Sequence, residues 1–256
     1  MIDIHCHILP GVDDGPESNY KSIDLARLAV EQGIHTIVAT PHHIPGSYSN
    51  TREEILRKVD NFNEQLKSEK VPLTVLPGQE TRISGTLIEE LDQGDILTLN
   101  DKLSSMLIEF PKDHVPKYTE KLFYDLQLKG ISPIIVHPEQ NLEILEDPEV
   151  LYQLIKKGAY AQVDAESVAG KLGRTAKRFT HDLIKAKQVQ FIGSNARDMT
   201  KRSFKMNLAL KEIKKSFGNE TINMFMVNAE KVIKGEPVFK EEPDRLKKVK
   251  KFVLFK

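Results

Sequence analysis

Short apolar runs of four to six residues alternate along the chain with longer stretches whose apolar positions recur every three or four residues. The runs fall at 2–5, 36–40, 73–77, 106–110, 133–137, 160–164 and 189–194, and such lengths suit strands buried on both faces of a parallel sheet. The stretches between them carry helical spacing. Leu172, Ala176, Phe179 and Leu183, for example, follow one another at four, three and four positions and predict one inward helix face. Ser18 is placed to cap a helix beginning near Asn19, and Gly33 lies where a left-handed stop would end it. Strand and helix alternate throughout, which predicts β-α units wound around a parallel sheet.

A chain of 256 residues is the usual size of a single α/β barrel, so one domain is expected over residues 1–235, followed by a short tail over 236–256. Lysine plus arginine and aspartate plus glutamate are balanced at 37 each, so no overall positive field favours nucleic acid, and no nucleic-acid partner is expected. The single cysteine, Cys6, excludes an intramolecular disulfide. The first residues lack the basic and apolar segments of an export signal, and no run approaches the roughly 18 apolar residues of a membrane span. A cytoplasmic location is the expectation. The tail is different in character: Lys240, Arg245, Lys247, Lys248, Lys250, Lys251 and Lys256 outnumber its acids, and Phe252 to Phe255 make an apolar tip. Such an end suits peripheral contact with an anionic membrane, or folding back onto the barrel.

The chemistry gathers at the strand ends. His5, His42, Glu80, Glu109, His137 and Asn195 each lie at or just beyond the C-terminal end of a different predicted strand, and a closed parallel sheet brings those ends to one face. In Ile4-His5-Cys6-His7 the histidines are two apart, so a strand turns both imidazoles to one side and Cys6 to the other. That arrangement suits two ligands on one metal, with Cys6 an inert buried thiol. The loop from Pro10 to Pro16 is built of turn formers and carries Asp13 and Asp14; either could ligate a metal, or serve as an ordinary turn or capping residue. After the second strand, Thr40-Pro41-His42-His43 offers one more imidazole. Glu109 closes the apolar run Met106-Leu107-Ile108, where an ionised carboxylate without a partner would cost several kcal/mol, and His137 follows Ile134-Ile135-Val136 in the same way. Mixed imidazole and carboxylate donors favour manganese, iron or zinc over calcium. His35, His114 and His181 lack this setting and read as surface residues.

His5-Cys6-His7, the Asp13-Asp14-Gly15-Pro16 loop, Pro41-His42-His43, Gly78-Gln79-Glu80, Glu109-Phe110-Pro111 and His137-Pro138-Glu139 together resemble the polymerase and histidinol phosphatase (PHP) superfamily. Within it they look most like the bacterial manganese-dependent tyrosine-protein phosphatases of capsule and exopolysaccharide gene clusters. The resemblance implies a distorted, TIM-like (β/α)7 barrel that holds two or three Mn2+ ions, with Fe or Zn as substitutes. It further implies hydrolysis of phosphotyrosine on a membrane-associated tyrosine kinase. By matching motifs it implies one ion on His5, His7 and Glu80, a second on Glu80, Glu109 and His137, and a third on Asp14 and His42.

Two departures change that picture. Where the family carries Ser-Asp-Ala-His, this chain has Ser194-Asn195-Ala196-Arg197, and Gln140 stands where an arginine usually follows His-Pro-Glu. Asn195 can still offer a neutral carbonyl oxygen to a metal. Arg197 cannot ligate, and a guanidinium about 4 Å from a divalent ion is repelled by roughly 8 kcal/mol at an effective dielectric near 20. Arg197 is therefore expected to supply positive charge to the phosphate itself, beside Arg202, which matches the family's other phosphate-binding arginine. Three function classes follow: a tyrosine phosphatase, another phosphoesterase such as a histidinol phosphatase or nuclease, and a weak or inactive variant that binds the kinase. There is neither a Cys-x5-Arg phosphate loop nor a Walker sequence, which removes the cysteine-phosphatase and P-loop mechanisms.

Overall fold

The computed structural model describes residues 1–246. Among them run the strands β1 (Ile2–Cys6), β2 (Thr36–Ala39), β3 (His42–His43), β4 (Thr74–Pro77), β5 (Glu80–Arg82), β6 (Ser105–Glu109), β7 (Ser132–Val136), β8 (Tyr160–Asp164) and β9 (Phe191–Gly193). The helices between and after them are α1 (Asn19–Glu31), α2 (Arg52–Ser68), α3 (Leu87–Gln93), α4 (Thr119–Leu128), α5 (Leu142–Glu146), α6 (Glu149–Lys156), α7 (Ala165–Val168), α8 (Arg174–Lys185) and α9 (Met206–Lys234), the last kinked at Gly218. Every strand pair is parallel, in the orders β1-β2-β4 and β3-β5-β6-β7-β8-β9.

Two of the expected strands are each split in two. The run at 36–40 stops at Ala39 and resumes as β3, and the run at 73–77 resumes as β5. Pro41 causes the first break, because it has no N–H for a ladder. At the second, Gly78 lets two backbones approach closely: a Cβ there would lie 2.6 Å from Val38 Cγ1. The Glu80 N–H donates to the Pro41 carbonyl at 3.1 Å, the first link between the two resumed strands. These breaks turn His42 and Glu80 into the same register position, paired across β3 and β5.

The far edge is drawn in by β1. His7 N donates to Ala196 O at 2.9 Å, Asn195 N to His5 O at 2.8 Å, and Ser194 N to the buried Asp3 Oδ1 at 2.9 Å. Cys6 and Ala196 form a parallel bridge at this point. The result is a distorted (β/α) barrel whose strand C-termini share one face. Its wall is filled by residues such as Ile4, Ile37, Ile108, Ile135 and Val163, all fully buried. Cys6 is buried in the same wall, and burial pushes its thiol pKa well up, as an inert thiol requires.

Ser18 caps α1 by accepting from Lys21 N, and Gly33 adopts φ 79° just beyond the helix, as expected. Two expectations need correcting. Leu172 lies ahead of α8 and is exposed, because Gly170 and Gly173 hold the preceding chain at φ 77° and 96°; on α8 itself Phe179 and Leu183 face the core as expected, joined by Thr180 and Ile184. His181 is half-buried rather than a surface residue. Its ring packs 5.3 Å from that of Phe217, with Nε2 buried and without a hydrogen-bond partner. His35 and His114 are exposed.

The first part of the tail follows the barrel surface. Phe239 N and O both bond the Asn228 side chain, Lys240 Nζ donates to the carbonyls of Ile155 and Ala159, and Asp244 N donates to Ala186 O. The lysines from Lys247 onward and the apolar tip Phe252 to Phe255 lie outside the described residues. No helix among the described residues is long and apolar enough to cross a membrane.

Candidate metal centre

Glu80 sits at the centre of the strand-end face, fully buried. Its Oε2 lies 3.4 Å from His5 Nε2, 3.2 Å from His7 Nε2 and 2.9 Å from His42 Nδ1. Those four atoms are all buried, yet none has a hydrogen-bond partner. Unpaired buried polar atoms are rare because each costs about 1–3 kcal/mol, so four that converge need an explanation. Donors held about 2.1 Å from a shared cation stand roughly 3 Å from one another, close to the separations found here. The residues therefore fit a divalent metal.

Three sets of donors have atoms mutually within 4.8 Å: His5, His7 and Glu80; His42, Glu80 and Glu109; and His7, Asp14 and His42. The first is the set expected for the first ion. In the second, His42 is the imidazole, while His137 approaches from the other side, with Nε2 2.9 Å from Glu80 Oε1 and 3.9 Å from Glu109 Oε1.

The local backbone explains how these side chains are held. His5 and His7 alternate with buried Ile4, Cys6 and Ile8 along β1 and its extension, so both rings point to the same side. The outer nitrogen of each ring is fixed by a partner that sequence reading did not identify in that role. Gln162 Oε1 lies 2.6 Å from His5 Nδ1, and Asp13 Oδ2 lies 2.6 Å from His7 Nδ1. Asp13 also accepts from the backbone of His42 and Gly15. Burial opposes the charge of Asp13, but His7 and these donors win, and its pKa is lowered. Gly15 is required where it stands, since a Cβ would come within 2.4 Å of His7 O.

Glu80 keeps its charge in the same manner. Burial favours the neutral acid, but His5 and His42 outweigh it and hold the pKa well below the carboxylate range. Desolvation of the half-buried His137 disfavours its cation, yet Glu80, Asp164 and Glu109 raise its pKa to about 9. Both His137 (φ 36°) and Asn195 (φ 50°) occupy the left-handed region, which costs a non-glycine residue of order 1–3 kcal/mol. Backbone bonds hold them there: His137 N donates to Gln162 O, and Asn195 N donates to His5 O.

Asn195 was expected to turn a carbonyl oxygen to a metal. Instead its Oδ1 accepts from Arg197 Nε at 3.2 Å and Nη2 at 3.1 Å, and its Nδ2 donates to Asp164 Oδ2 at 2.9 Å. Arg197 Nη1 bonds Asp14 Oδ2 and lies 2.8 Å from His42 Nε2. Arg202 Nη1 is 3.6 Å from the same Asp14 oxygen. Gln140 Nε2 donates to Asp164 at 2.7 Å. Arg82, also missed in the sequence, donates to Glu109 Oε2 at 2.9 Å.

Above the cluster opens a cavity of about 750 Å³ whose wall includes Asp14, His42, Glu109, His137, Arg197 and Arg202. Its rim is basic, with Arg82, Lys112, Lys171, Lys201 and Lys205 around a floor of carboxylates and imidazoles. A charge pattern of that kind suits a polyanionic group bound end-on above the cluster.

Comparison with known proteins places these features in context. The model of the capsular polysaccharide synthesis family CpsB/CapC matches residues 1–234. The tyrosine-protein phosphatase YwqE of Bacillus subtilis is 46% identical over 255 residues, covering 100% of both chains. The putative tyrosine-protein phosphatase CapC of Staphylococcus aureus is 35% identical over 252 residues, covering 98% of each. Among solved structures, one described with YwqE and the CpsB of Streptococcus pneumoniae as unique metal-dependent tyrosine phosphatases superimposes with a TM-score of 0.94 at 46% identity, over 96% of this chain and 100% of that one. Histidinol phosphate phosphatase from Lactococcus lactis shares the fold at a TM-score of 0.54 and 14% identity, over 85% of this chain and 95% of that one.

Proposed function

The chain belongs to the CpsB/CapC family of capsular polysaccharide synthesis, and on that premise we propose that it is a metal-dependent tyrosine-protein phosphatase. The observation that carries the reading is the convergence of His5 Nε2, His7 Nε2 and His42 Nδ1 on Glu80 Oε2, four buried atoms without a hydrogen-bond partner. His5, His7 and Glu80 would hold one ion, and Glu80, Glu109 and His137 a second. Manganese is the favoured metal, with iron or zinc able to occupy the same mixed donors. Divalent ions bound there supply a water nucleophile at neutral pH and offset the charge of the phosphoryl oxygens.

The chain's own residues do the rest. Gln162 and Asp13 fix the ring orientation of His5 and His7, so the donors need no rearrangement on loading. Arg202 and Arg197 line the cavity beside Asp14 and present guanidinium donors to the non-reacting phosphate oxygens. The basic rim favours a phosphotyrosine flanked by acidic residues. The substrate reading is a phosphotyrosine protein, with a membrane-associated tyrosine kinase of the capsule or exopolysaccharide machinery as its natural form and the cytoplasm as the site of action.

One observation favours a second reading, a binding protein with attenuated turnover: Arg197 already contacts two donors, Asp14 and His42. Competition among a phosphotyrosine peptide, histidinol phosphate and single-stranded DNA separates these readings. The proposal predicts manganese-dependent release of phosphate from the peptide with strong preference over the other two. Preference for histidinol phosphate or DNA would reassign the site, and manganese uptake with no turnover on any substrate would favour the binding protein.

A further inference from the structure

Asp14, His42 and His7 form a donor set in which two of the three members are already engaged by a cation of the protein's own. Arg197 Nη1 reaches both Asp14 Oδ2 and His42 Nε2. The guanidinium is not a surface group swung in by chance. Arg197 is 6% exposed, and its Nε and Nη2 are both fastened to Asn195 Oδ1. Asn195 is oriented in turn by Asp164, which accepts from its Nδ2 and, on the same oxygen, from Gln140. A continuous line of hydrogen bonds thus runs from Asp164 through Asn195 and Arg197 to Asp14.

The tautomer of His42 follows from this line. An arginine can only donate, so Nε2 of His42 must accept and cannot carry a proton or a metal while the contact lasts. The neutral ring then carries its proton on Nδ1, which faces the carboxylates of Glu80 at 2.9 Å and Glu109 at 3.8 Å. His42 is thereby withdrawn from the third donor set, and its protonated Nδ1 offers no lone pair to a metal while the contact lasts.

We propose that Arg197 is a built-in third cation, so that this chain loads two divalent ions where Asp14 and His42 would otherwise help to hold a further one. The guanidinium keeps positive charge at the cavity wall at every metal concentration, beside Arg202, for use on a phosphate oxygen. The inference rests on the metal-centre reading above and concerns only how many ions that centre takes and what stands in the remaining position.

The test is a count. The native protein is stripped with chelator, reloaded with excess manganese, freed of unbound ion, and analysed by plasma mass spectrometry against protein concentration. The double variant Asn195→Asp plus Arg197→His is treated identically, with circular dichroism confirming its fold. Two ions per native chain and three in the variant are expected. Three ions in the native protein would overturn the inference while leaving the metal centre standing, and this result needs no variant to fold. A folded variant that stays at two would also overturn it. A native protein that retains no manganese would overturn the metal-centre reading and the inference together.

Discussion

Glu80 Oε2 stands 2.9 Å from His42 Nδ1, and the two residues share one register position across β3 and β5. That pairing exists because Pro41 and Gly78 break their strands at matching heights. Had either strand continued unbroken, the alternation of side chains would place one of the two in the wall instead of the face. The site is thus a consequence of two interruptions in the sheet.

Replacing Glu80 with glutamine removes the charge that every nearby imidazole faces. Manganese affinity and phosphotyrosine turnover are expected to fall by at least about 100-fold, beyond the roughly 10–100-fold typical of residues that only support a metal ligand. Isothermal titration with manganese and steady-state kinetics on the same preparation check it. Unchanged affinity would remove Glu80 from the centre.

Gln162→Ala and Asp13→Ala act one step away, by freeing His5 Nδ1 or His7 Nδ1 from its partner. Each is expected to weaken manganese binding by about 10–100-fold. Turnover should recover at saturating manganese, which a general folding defect would not allow.

Metal uptake should strengthen with pH. His137, raised to about 9 by its carboxylate neighbours against the effect of burial, carries a proton at neutral pH when no cation is bound. A divalent ion that takes Nε2 must release that proton, so affinity rises as pH climbs toward 9 and falls as it drops. Manganese titrations at pH 6.5 and 8.5, repeated in buffers of different ionisation enthalpy, measure both the trend and the proton released. His137→Ala should flatten the dependence.

Gly78→Ala is a prediction about the fold alone. Its Cβ would meet Val38 Cγ1 at 2.6 Å inside the packed wall, and overpacking of this kind costs about 1–3 kcal/mol. Thermal denaturation of metal-free protein should show the loss. Adding Val38→Ala, which removes the clashing methyl, should restore part of what Gly78→Ala loses.

Much of the site could be read from the sequence because the ligand candidates end apolar runs, and a run that ends in histidine or glutamate marks its own strand terminus. Glu109 after Met106-Leu107-Ile108 and His137 after Ile134-Ile135-Val136 are legible in this way. The breaks carried a signal too, in Pro41 and Gly78, but only the fold shows that the chain resumes pairing beyond them. Gln162, Asp164 and Arg82 were illegible for a different reason. They sit within or at the ends of ordinary strands, and their partners lie far away in sequence on other strands or the turns that follow them, so no local spacing distinguishes them from wall residues. Asn195 was legible as a site residue, but the direction of its amide was not. That direction is fixed by Asp164 on one side and Arg197 on the other, and the first of these contacts exists only because β8 and β9 pair. His181 was misplaced because the packing of α8 beside Phe217 has no trace in the residues around it.

The most direct test is hydrolysis of a phosphotyrosine peptide by the native protein after chelation, then after manganese is returned, with His5→Ala beside it at the same concentration. No turnover in chelator, recovery with manganese, and loss of that recovery in His5→Ala are expected. Turnover that persists in chelator, or that survives His5→Ala at full manganese, would contradict the metal-centre reading.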